Sequence, residues 1–403
     1  MNTFEIAIVG GGLAGSIAAI AFAGQGFSVA FIAPEDGRTD SRTTALMENS
    51  LQFLTTLGIW DSVLPHAAAL QTMQIIDGTD RLIRAPTVAF RAAEIGLEAF
   101  GYNIPNAPFL KVLEETIEKD ANITVLHATV DKLSTVDGQT NLTLANGETV
   151  DAKLVIGADG RTSKVRQSAG IEVHTVTYPQ TALVLNLSHD LPHKNTSTEF
   201  HTPTGPFTIV PLGERRSSLV WVVKPEQAKD LLDMTDEALN RRIEERMSSM
   251  LGKIRIETRP QAWPLSAQTA RAFGKDGIAL IGEAAHVFPP IGAQGLNLSL
   301  RDIQSAVDLA VKARASSQTL AIGNAYDRAR RADILTRTAG IDLLNRSLLS
   351  GFLPVQMLRA AGLQLLYSVP PLRHLMMQEG VAPGRGLRGF PDFLRKKIHR
   401  QHA

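Results

Sequence analysis

A glycine-rich turn between a strand and a helix, close to the start of the chain, constrains the fold more than any other feature. Residues 4–10 read FEIAIVG, the apolar run of a buried strand, and GGGLAG at residues 10–15 follows directly. The glycines match GxGxxG spacing: the first makes a tight turn, the second lets backbone approach a pyrophosphate, and the third lets helix and strand pack closely. Unpaired N–H groups at the start of the next helix attract phosphate as well. An ordinary tight turn is the alternative, but the strand–turn–helix context favours nucleotide binding. The residues assigned to this site are Gly10, Gly12, Leu13, Ala14 and Gly15.

Three more polar residues near this turn are candidates for the same site. In a βαβ unit an acid usually ends the second strand, here SVAFIA, and binds the ribose. The expected place falls near Ala33, and Glu35 and Asp36 lie just beyond it. Either acid could reach a ribose, or both are solvated loop residues. Arg42, in DSRTTAL, could pair with a phosphate through its fixed fork of donors; the alternative is a surface arginine.

Composition limits the classes of function. The 403 residues carry 41 Lys plus Arg against 40 Asp plus Glu, so the charge balance does not point to nucleic acid. The absence of cysteine excludes disulfides, thiolate metal sites and cysteine nucleophiles. The first strand begins too near residue 1 for a signal peptide, and no apolar run reaches the roughly 18 residues of a spanning helix. We therefore predict a cytoplasmic protein with a compact ligand and no metal, and contact with the inner face of the membrane stays open.

The order of strand-like and helix-like segments predicts a discontinuous α/β architecture. The opening βαβ pattern indicates a Rossmann-like domain, and the alternating apolar and polar residues of two later segments are typical of an antiparallel sheet. Helical patterns dominate the last part of the chain. The predicted division is a dinucleotide-type domain of residues 1–70, 101–176 and 265–340, an inserted β-rich substrate domain of residues 71–100 and 177–264, and C-terminal helices with a basic tail in residues 341–403.

Two later segments resemble further motifs of a known family. LVIGADGRTSKVR, residues 154–166, is a strand and turn with Asp159 before Gly160. IALIGEAAHVFPPIGAQGLNLSLRDI, residues 278–303, is a buried strand, an acid, a Pro-rich loop and a new helix. With the first motif, these resemble in order and spacing the three flavin motifs of the FAD-dependent aromatic hydroxylases. The resemblance implies a fold like that of para-hydroxybenzoate hydroxylase.

The resemblance also implies how FAD would be held. Asp159 belongs to the second motif, and Glu283 stands where a shorter acid of the class contacts the ribitol chain. The N–H groups of Gly295, Leu296 and Asn297 would stabilise negative charge on the reduced flavin at a helix N-terminus. The chain departs from the class pattern at two positions: Glu283 replaces the usual Asp, and Ala293 stands where many members have Gly.

Within this class the chain is most similar to the ubiquinone-biosynthesis hydroxylases. The resemblance implies hydroxylation of the ring of a polyprenylated phenol through a flavin C4a-hydroperoxide, with O2 as co-substrate and NAD(P)H or another electron donor as reductant. The alternatives are a flavin hydroxylase of small soluble aromatics and a non-catalytic partner in a quinone-biosynthesis complex. The matching segments are DSRTTALMENSLQFLTTLGIW, FGYNIPN, GAQGLNLSLRD and RTAGIDLLNRSLLSGFLPVQMLRAAGLQLL.

No residue stands out from the sequence as the catalytic base. His286 in the third motif is a weak candidate, and a structural hydrogen bond to loop backbone is the favoured alternative. Tyr102 and Pro290 could line the substrate cavity, although Tyr102 is equally consistent with ordinary packing. The tail PGRGLRGFPDFLRKKIHR mixes basic and aromatic residues, which suits an anionic membrane surface or a solvated tail equally well. The sequence does not indicate the oligomeric state.

Overall fold

The computed structural model describes residues 2–35, 40–79, 86–136, 139–289, 293–349 and 368–381. Asp36, Pro290 and the basic tail after residue 382 lie outside the described residues. Within those ranges the strands are β1 (Asn2–Val9), β2 (Val29–Ala33), β3 (Thr43–Met47), β4 (Ala68–Ala69), β5 (Thr72–Asp77), β6 (Val88–Arg91), β7 (Gly101–Pro105), β8 (Ile123–His127), β9 (Val130–Val136), β10 (Gln139–Leu144), β11 (Thr149–Gly157), β12 (Val173–His189), β13 (Thr196–Thr202), β14 (Gly205–Gly213), β15 (Arg216–Val223), β16 (Ile254–Ile256), β17 (Gln261–Ala270), β18 (Gly274–Lys275), β19 (Ile278–Leu280) and β20 (His286–Val287).

The described helices are of two types, 3₁₀ and α. Short 3₁₀ helices span Leu64–His66, Ala92–Ile95 and Gly282–Ala284. The α-helices of the described residues are α1 (Leu13–Ala23), α2 (Glu48–Thr56), α3 (Trp60–Val63), α4 (Asn106–Glu118), α5 (Lys164–Ser168), α6 (Pro225–Leu232), α7 (Asp236–Arg246), α8 (Gln294–Ala315), α9 (Gly323–Leu349) and α10 (Pro370–Val381).

The first sheet has a parallel centre, as the opening βαβ pattern predicts. Its order is β18-β19-β11-β1-β2-β8, and β10 and β9 extend it from β11 as antiparallel strands. β1 lies between β2 and β11, with Ile6 opposite Val29 on one side and Leu154 on the other. Helix α1 packs against β1, α4 and α8, so most of its small and apolar side chains are buried. This burial on both faces explains why β1 and β2 are apolar runs rather than alternating ones.

The second sheet is mostly antiparallel and is built around the long strand β12. Its order is β20-β17-β12-β15-β14-β13-β5-β6, with β16 also paired to β12. One face packs on α6 and α7 through a core that includes Leu185, Leu219 and Ile243. One pair differs from the antiparallel expectation: β5 runs parallel to β13, because the earlier segment joins the sheet beside a strand from a distant part of the chain.

The strands that form the second sheet bear on the predicted domain division, which stays a prediction. β5 and β6 come from residues 71–100, as the division expects, and most other strands of this sheet come from residues 177–264. β12 begins at Val173 and β17 continues to Ala270, so both strands run past the predicted boundaries. β20 joins the same sheet from within the third motif.

Two asparagine side chains connect the second sheet to the segments around the third sheet, which has the order β3-β7-β4. Asn103 donates its amide to the carbonyl of Pro211 at 2.8 Å, and Asn186 donates to the carbonyl of Ser41 at 3.0 Å. These bonds hold the segment that contains Arg42 against β12. Among the described helices, none combines the length and apolarity needed to cross a bilayer.

Candidate cofactor site

The glycines of the first motif have different structural roles. A Cβ on Gly15 would lie 1.9 Å from the carbonyl oxygen of Gly10, and one on Gly10 would lie 2.3 Å from the oxygen of Ala158. A Cβ on Gly12 would meet nothing within 4 Å. Gly12 is also the N-cap of α1 and gives that helix no side-chain cap. The outer two glycines therefore permit close packing, whereas Gly12 leaves an opening in front of the unpaired N–H groups of α1.

The second motif lies directly against the first. Ala158 is the residue that meets Gly10, and Asp159 follows it. The two carboxylate oxygens of Asp159 accept hydrogen bonds from the Ser163 hydroxyl at 2.5 Å and the Val165 N–H at 3.1 Å. Asp159 therefore fixes the turn into α5, and its contact with a cofactor stays a prediction.

The third motif lies against the first and the second motifs. Gly282 has φ +59°, and a Cβ there would lie 3.2 Å from the Ser299 hydroxyl and 3.4 Å from Ala14 Cβ in the first motif. Arg166 donates to the carbonyl of Ala284 at 2.8 Å, which links the second motif to the third. Glu283 stands between these contacts and is exposed. The three sequence motifs thus converge around one opening.

Arg42 and Glu283 lie on the same side of this opening. The hydrogen bond from Arg42 to Asp40, 2.8 Å long, raises the pKa of the arginine; burial lowers it, and the charges of Asp40 and Glu283 raise it further. The Arg42 guanidinium also lies 5.2 Å from the ring centre of Trp263 on β17.

Glu35 is exposed and lies two residues beyond the end of β2. A Cβ on Gly11 would lie 2.7 Å from Ala33 Cβ, so the end of β2 adjoins the glycine turn.

Helix α8 presents its N-terminus beside these motifs. Its N-cap, Ala293, is in the left-handed region (φ 53°) and provides no side-chain cap. Helix geometry leaves the N–H groups of Gly295 and Leu296 without an intrahelical acceptor, whereas the N–H of Asn297 is the first that can reach the Ala293 carbonyl. The first two are therefore better placed than Asn297 to meet an anion.

The side chain of Asn297 has a role that the sequence did not reveal. Its amide donates to the carbonyls of Ala45 at 2.8 Å and Ala293 at 2.6 Å. Its oxygen accepts from the Met47 N–H at 2.9 Å and the Ser50 hydroxyl at 2.7 Å. One side chain thereby fastens the start of α8 to β3 and α2.

His286 lies in a buried network centred on Asp302, a residue that the sequence analysis did not select. The His286 Nε2 is 2.6 Å from one Asp302 oxygen, which also accepts the Gly282 N–H at 3.3 Å, and Arg330 donates to the other oxygen at 2.9 Å. His286 is 2% exposed and Asp302 is 0% exposed. The imidazole stacks on Phe288 with 5.1 Å between ring centres. This burial and pairing favour a structural role for His286.

Tyr102 lies opposite Leu46 in the pairing of β7 with β3 and packs edge-on against Trp60 at 5.2 Å. Burial raises the pKa of its phenol, and the charges of Glu98 and Glu48 raise it further. These contacts favour the packing role. Its catalytic role stays a prediction.

The face of the second sheet opposite α6 and α7 forms an apolar wall. Side chains alternate between faces along a strand, so Val184 lies on the face of Asn186, not on that of Leu183 and Leu185 in the helix-covered core. Val184 pairs with Val220 of β15, and both are half-buried. Because Asn186 bonds to the carbonyl of Ser41, this wall faces the segment that leads to Arg42. This wall cannot be predicted from the sequence, since both faces of these strands are apolar.

FAD fits the residues around the opening. The open side of Gly12 and the N–H groups of α1 suit a pyrophosphate, and the uncapped N-terminus of α8 suits the anionic edge of a reduced flavin. The described residues hold no group of three or more His, Asp or Glu placed to bind a metal ion.

Comparisons with known proteins show the family to which the chain belongs. The family described as FAD binding domain matches residues 3–336. The ubiquinone hydroxylase UbiL of Rhodospirillum rubrum is 31% identical over 411 residues, covering 96% of this chain and 93% of the relative. The 3-demethoxyubiquinol 3-hydroxylase of Escherichia coli is 32% identical over 370 residues, covering 89% and 93%. The crystal structure of p-nitrophenol 4-monooxygenase PnpA from Pseudomonas putida superposes with a TM-score of 0.77 at 20% identity, covering 97% of this chain and 100% of PnpA.

These matches confirm the predicted fold class, an α/β protein with a Rossmann-like FAD-binding domain and an added sheet. They confirm FAD as the cofactor class and the suspected resemblance to the ubiquinone hydroxylases. The chain belongs to the FAD binding domain family and is an FAD-dependent monooxygenase related to the ubiquinone hydroxylases.

Proposed function

We propose that this protein hydroxylates the aromatic ring of a polyprenylated phenol in ubiquinone biosynthesis. The observation that carries the proposal is the convergence of three flavin motifs on one opening, with the apolar wall of Val184 and Val220 next to the segment that contains Arg42. An apolar wall suits a substrate with a prenyl chain better than a small charged aromatic acid. The relatives named as ubiquinone hydroxylases support the same pathway.

Each motif would have a distinct part in holding FAD. Gly12 and the first turn of α1, with Leu13 and Ala14, would bind the pyrophosphate, and Glu35 the ribose. Glu283 would reach the ribitol chain, with Arg42 as its charge partner. The N–H groups of Gly295 and Leu296 would stabilise negative charge at the pyrimidine edge.

The chemistry divides between cofactor and protein. When bound, FAD supplies the reaction with O2 after reduction by NAD(P)H or another donor. The chain binds and orients the phenol ring, and the wall of Val184 and Val220 excludes water from it. His286 and Asp302 hold the third motif in place and take no proton from the substrate.

The test begins with the visible spectrum of the purified protein with added FAD. We expect bound-flavin bands near about 375 and 450 nm, typical of flavins. The holoenzyme should then hydroxylate a polyprenylated phenol and leave 4-hydroxybenzoate unchanged. Turnover of 4-hydroxybenzoate alone would replace this proposal with a hydroxylase of soluble aromatics. A folded protein that binds no FAD would support a non-catalytic role.

Delivery of a prenylated substrate leads us to propose peripheral membrane contact through the basic tail, residues 383–403. Basic and aromatic side chains together bind anionic lipid surfaces. Deleting the tail should reduce binding to anionic liposomes and leave FAD content unchanged, with neutral liposomes as the control. Equal binding of the full and shortened chains to anionic liposomes would refute this role.

A further inference from the structure

A groove between α2, α8 and α9 borders the third FAD motif, which contributes Gln294, Asn297 and Arg301 to its lining, and it has a different chemistry. Its cavity volume is about 400 Å³, within the range of small-molecule sites. Its charged lining groups are Arg301 and Arg337, and the described lining contains no Asp or Glu. Side-chain amides surround the two guanidinium groups, and Met47 and Phe53 provide an apolar edge. The lining amides are Asn49, Gln52, Gln294, Asn297 and Gln304.

The arginines at this groove are only partly neutralised. Asp333 accepts from Arg301 at 3.1 Å, from Arg337 at 2.8 Å and from Arg330 at 2.8 Å, so one carboxylate serves three guanidinium groups. Asp302, which pairs with Arg330, is 0% exposed, and Asp308 lines a neighbouring cavity together with Arg301 and Arg330. Burial lowers the pKa of Arg301, and the charges of Arg337 and Arg330 lower it further although Asp333 opposes them. An anion bound in the groove would offset the repulsion that Arg301 experiences from the other two guanidinium groups.

The groove is joined to the cofactor site through the first turn of α8. Gln294 and Asn297 line the groove, and the N–H groups of Gly295 and Leu296 lie in the same turn. Arg337 donates to the Gln294 side chain at 3.0 Å. A ligand in the groove would therefore lie beside the helix end that we assign to the flavin.

The two ligands of the proposed reaction differ in their need for such a groove. A polyprenylated phenol is neutral and gains nothing from two guanidinium groups, whereas a nicotinamide dinucleotide carries phosphates that Arg binds as a fork. The sequence has no second glycine-rich phosphate motif, so a dinucleotide needs another phosphate site.

We propose that this groove binds the phosphate groups of a small ligand through Arg301 and Arg337, and that the ligand is the nicotinamide dinucleotide reductant. The inference rests on the proposed function, because only a reaction that consumes reducing equivalents needs this ligand. Free inorganic phosphate has the same chemistry and is the second source that the experiment separates.

The experiment is a calorimetric titration of the FAD-loaded protein with NAD⁺, NADP⁺ and inorganic phosphate. Arg301→Gln and Arg337→Gln should each weaken dinucleotide binding about tenfold, as expected for loss of a partly solvated charged hydrogen bond. Arg328→Gln is the matched control, because Arg328 is an exposed arginine of α9 that does not line the groove. Binding should also weaken as salt is added.

The contrary outcomes are distinct. Dinucleotide binding that neither groove variant changes, or that Arg328→Gln weakens equally, overturns the proposal. Arginine-dependent binding of phosphate without any dinucleotide binding keeps the anion site and overturns the reductant as its ligand. Absence of binding by all three probes overturns both parts.

Failure of the proposal that the groove binds a dinucleotide can be told apart from failure of the proposed hydroxylase function. Flavin reduced with dithionite and then mixed with O2 and a prenylated phenol needs no dinucleotide. Product formed in that single turnover supports the hydroxylase even if the groove is empty of ligand. Its absence in a flavin-loaded protein counts against the hydroxylase whatever the titrations show.

Discussion

Within the glycine turn, Gly15 permits close packing of the backbone, whereas Gly12 leaves space for a bound pyrophosphate. Gly12→Val should leave the protein folded, because a Cβ there meets no protein atom, yet it should weaken FAD binding at least about tenfold by blocking the pyrophosphate. Gly15→Val should instead unfold the turn, because its Cβ would lie 1.9 Å from a backbone oxygen. FAD titration together with thermal melting separates the two. Normal FAD content in folded Gly12→Val would refute this placement of the pyrophosphate.

Asp302 is the second residue whose effect can be predicted individually. Asp302→Asn removes the buried charge that balances Arg330 and leaves one acceptor oxygen where the carboxylate offers two, to Arg330 on one side and to His286 and Gly282 on the other. Breaking a buried pair by removing one partner costs about 3–5 kcal/mol, so the free energy of unfolding should fall by that order. Urea denaturation measures it, and Asp308→Asn, at an exposed position on the same helix, is the control. Equal losses in the two variants would contradict a special role for the network.

At the scale of elements, Arg373 and Met377 connect α10 to β6 and the short helix that follows it. Arg373 pairs with Glu94 at 2.6 Å, donates to the carbonyl of Ala89 and lies 5.2 Å from the ring centre of Phe90. Met377 is 6% exposed and belongs to a small cluster with Ala92 and Phe100. Among the described side chains, Arg373 and Met377 therefore contribute contacts that hold α10 in place.

Arg373→Ala should release α10 without unfolding the rest. Loss of hydrogen bonds from a charged group costs on the order of 2 kcal/mol, so amide exchange in residues 370–381 should become faster by about tenfold or more. Hydrogen–deuterium exchange measures it, with His374→Ala on the exposed side as the control. Unchanged exchange in Arg373→Ala would refute a role for Arg373 in holding the helix.

At the scale of the whole molecule, the free energy of unfolding should fall in acid, because the Asp333 carboxylate of α9 pairs with Arg301 of α8. Burial raises the pKa of Asp333, but hydrogen bonds from Arg337 and Arg330 and the charge of Arg301 outweigh it and lower the pKa below its ordinary value. A carboxyl with a lowered folded-state pKa stabilises the protein above its unfolded-state pKa, about 3.9, and loses that effect as pH falls through the folded-state value.

Asp333→Asn should therefore cost more stability at neutral pH than in acid. The difference in urea midpoint between wild type and variant should be largest at pH 7 and smaller at pH 3, because the Asp333 carboxyl of the unfolded chain then takes up a proton that the folded chain resists. A difference that stays constant across this range would assign the loss to altered packing rather than to charge.

Sequence alone determined the features that depend on neighbouring residues. FEIAIVG followed by GGGLAG predicted a buried strand, a tight turn and a helix, because glycine spacing and apolar runs act through local sterics and burial. The order of the three motifs predicted the fold class and FAD, which the family match confirms.

Only the tertiary structure decided which distant residues meet. The Asn297 side chain accepts a hydrogen bond from the Met47 N–H, 250 positions away in the sequence. His286 contacts Asp302 on α8, and β5 pairs in parallel with β13. The wall of Val184 and Val220 likewise exists only once strands are in register, since both faces of β12 and β15 are apolar. Such contacts leave no local pattern, because they arise from how sheets and helices pack rather than from the spacing of residues along the chain.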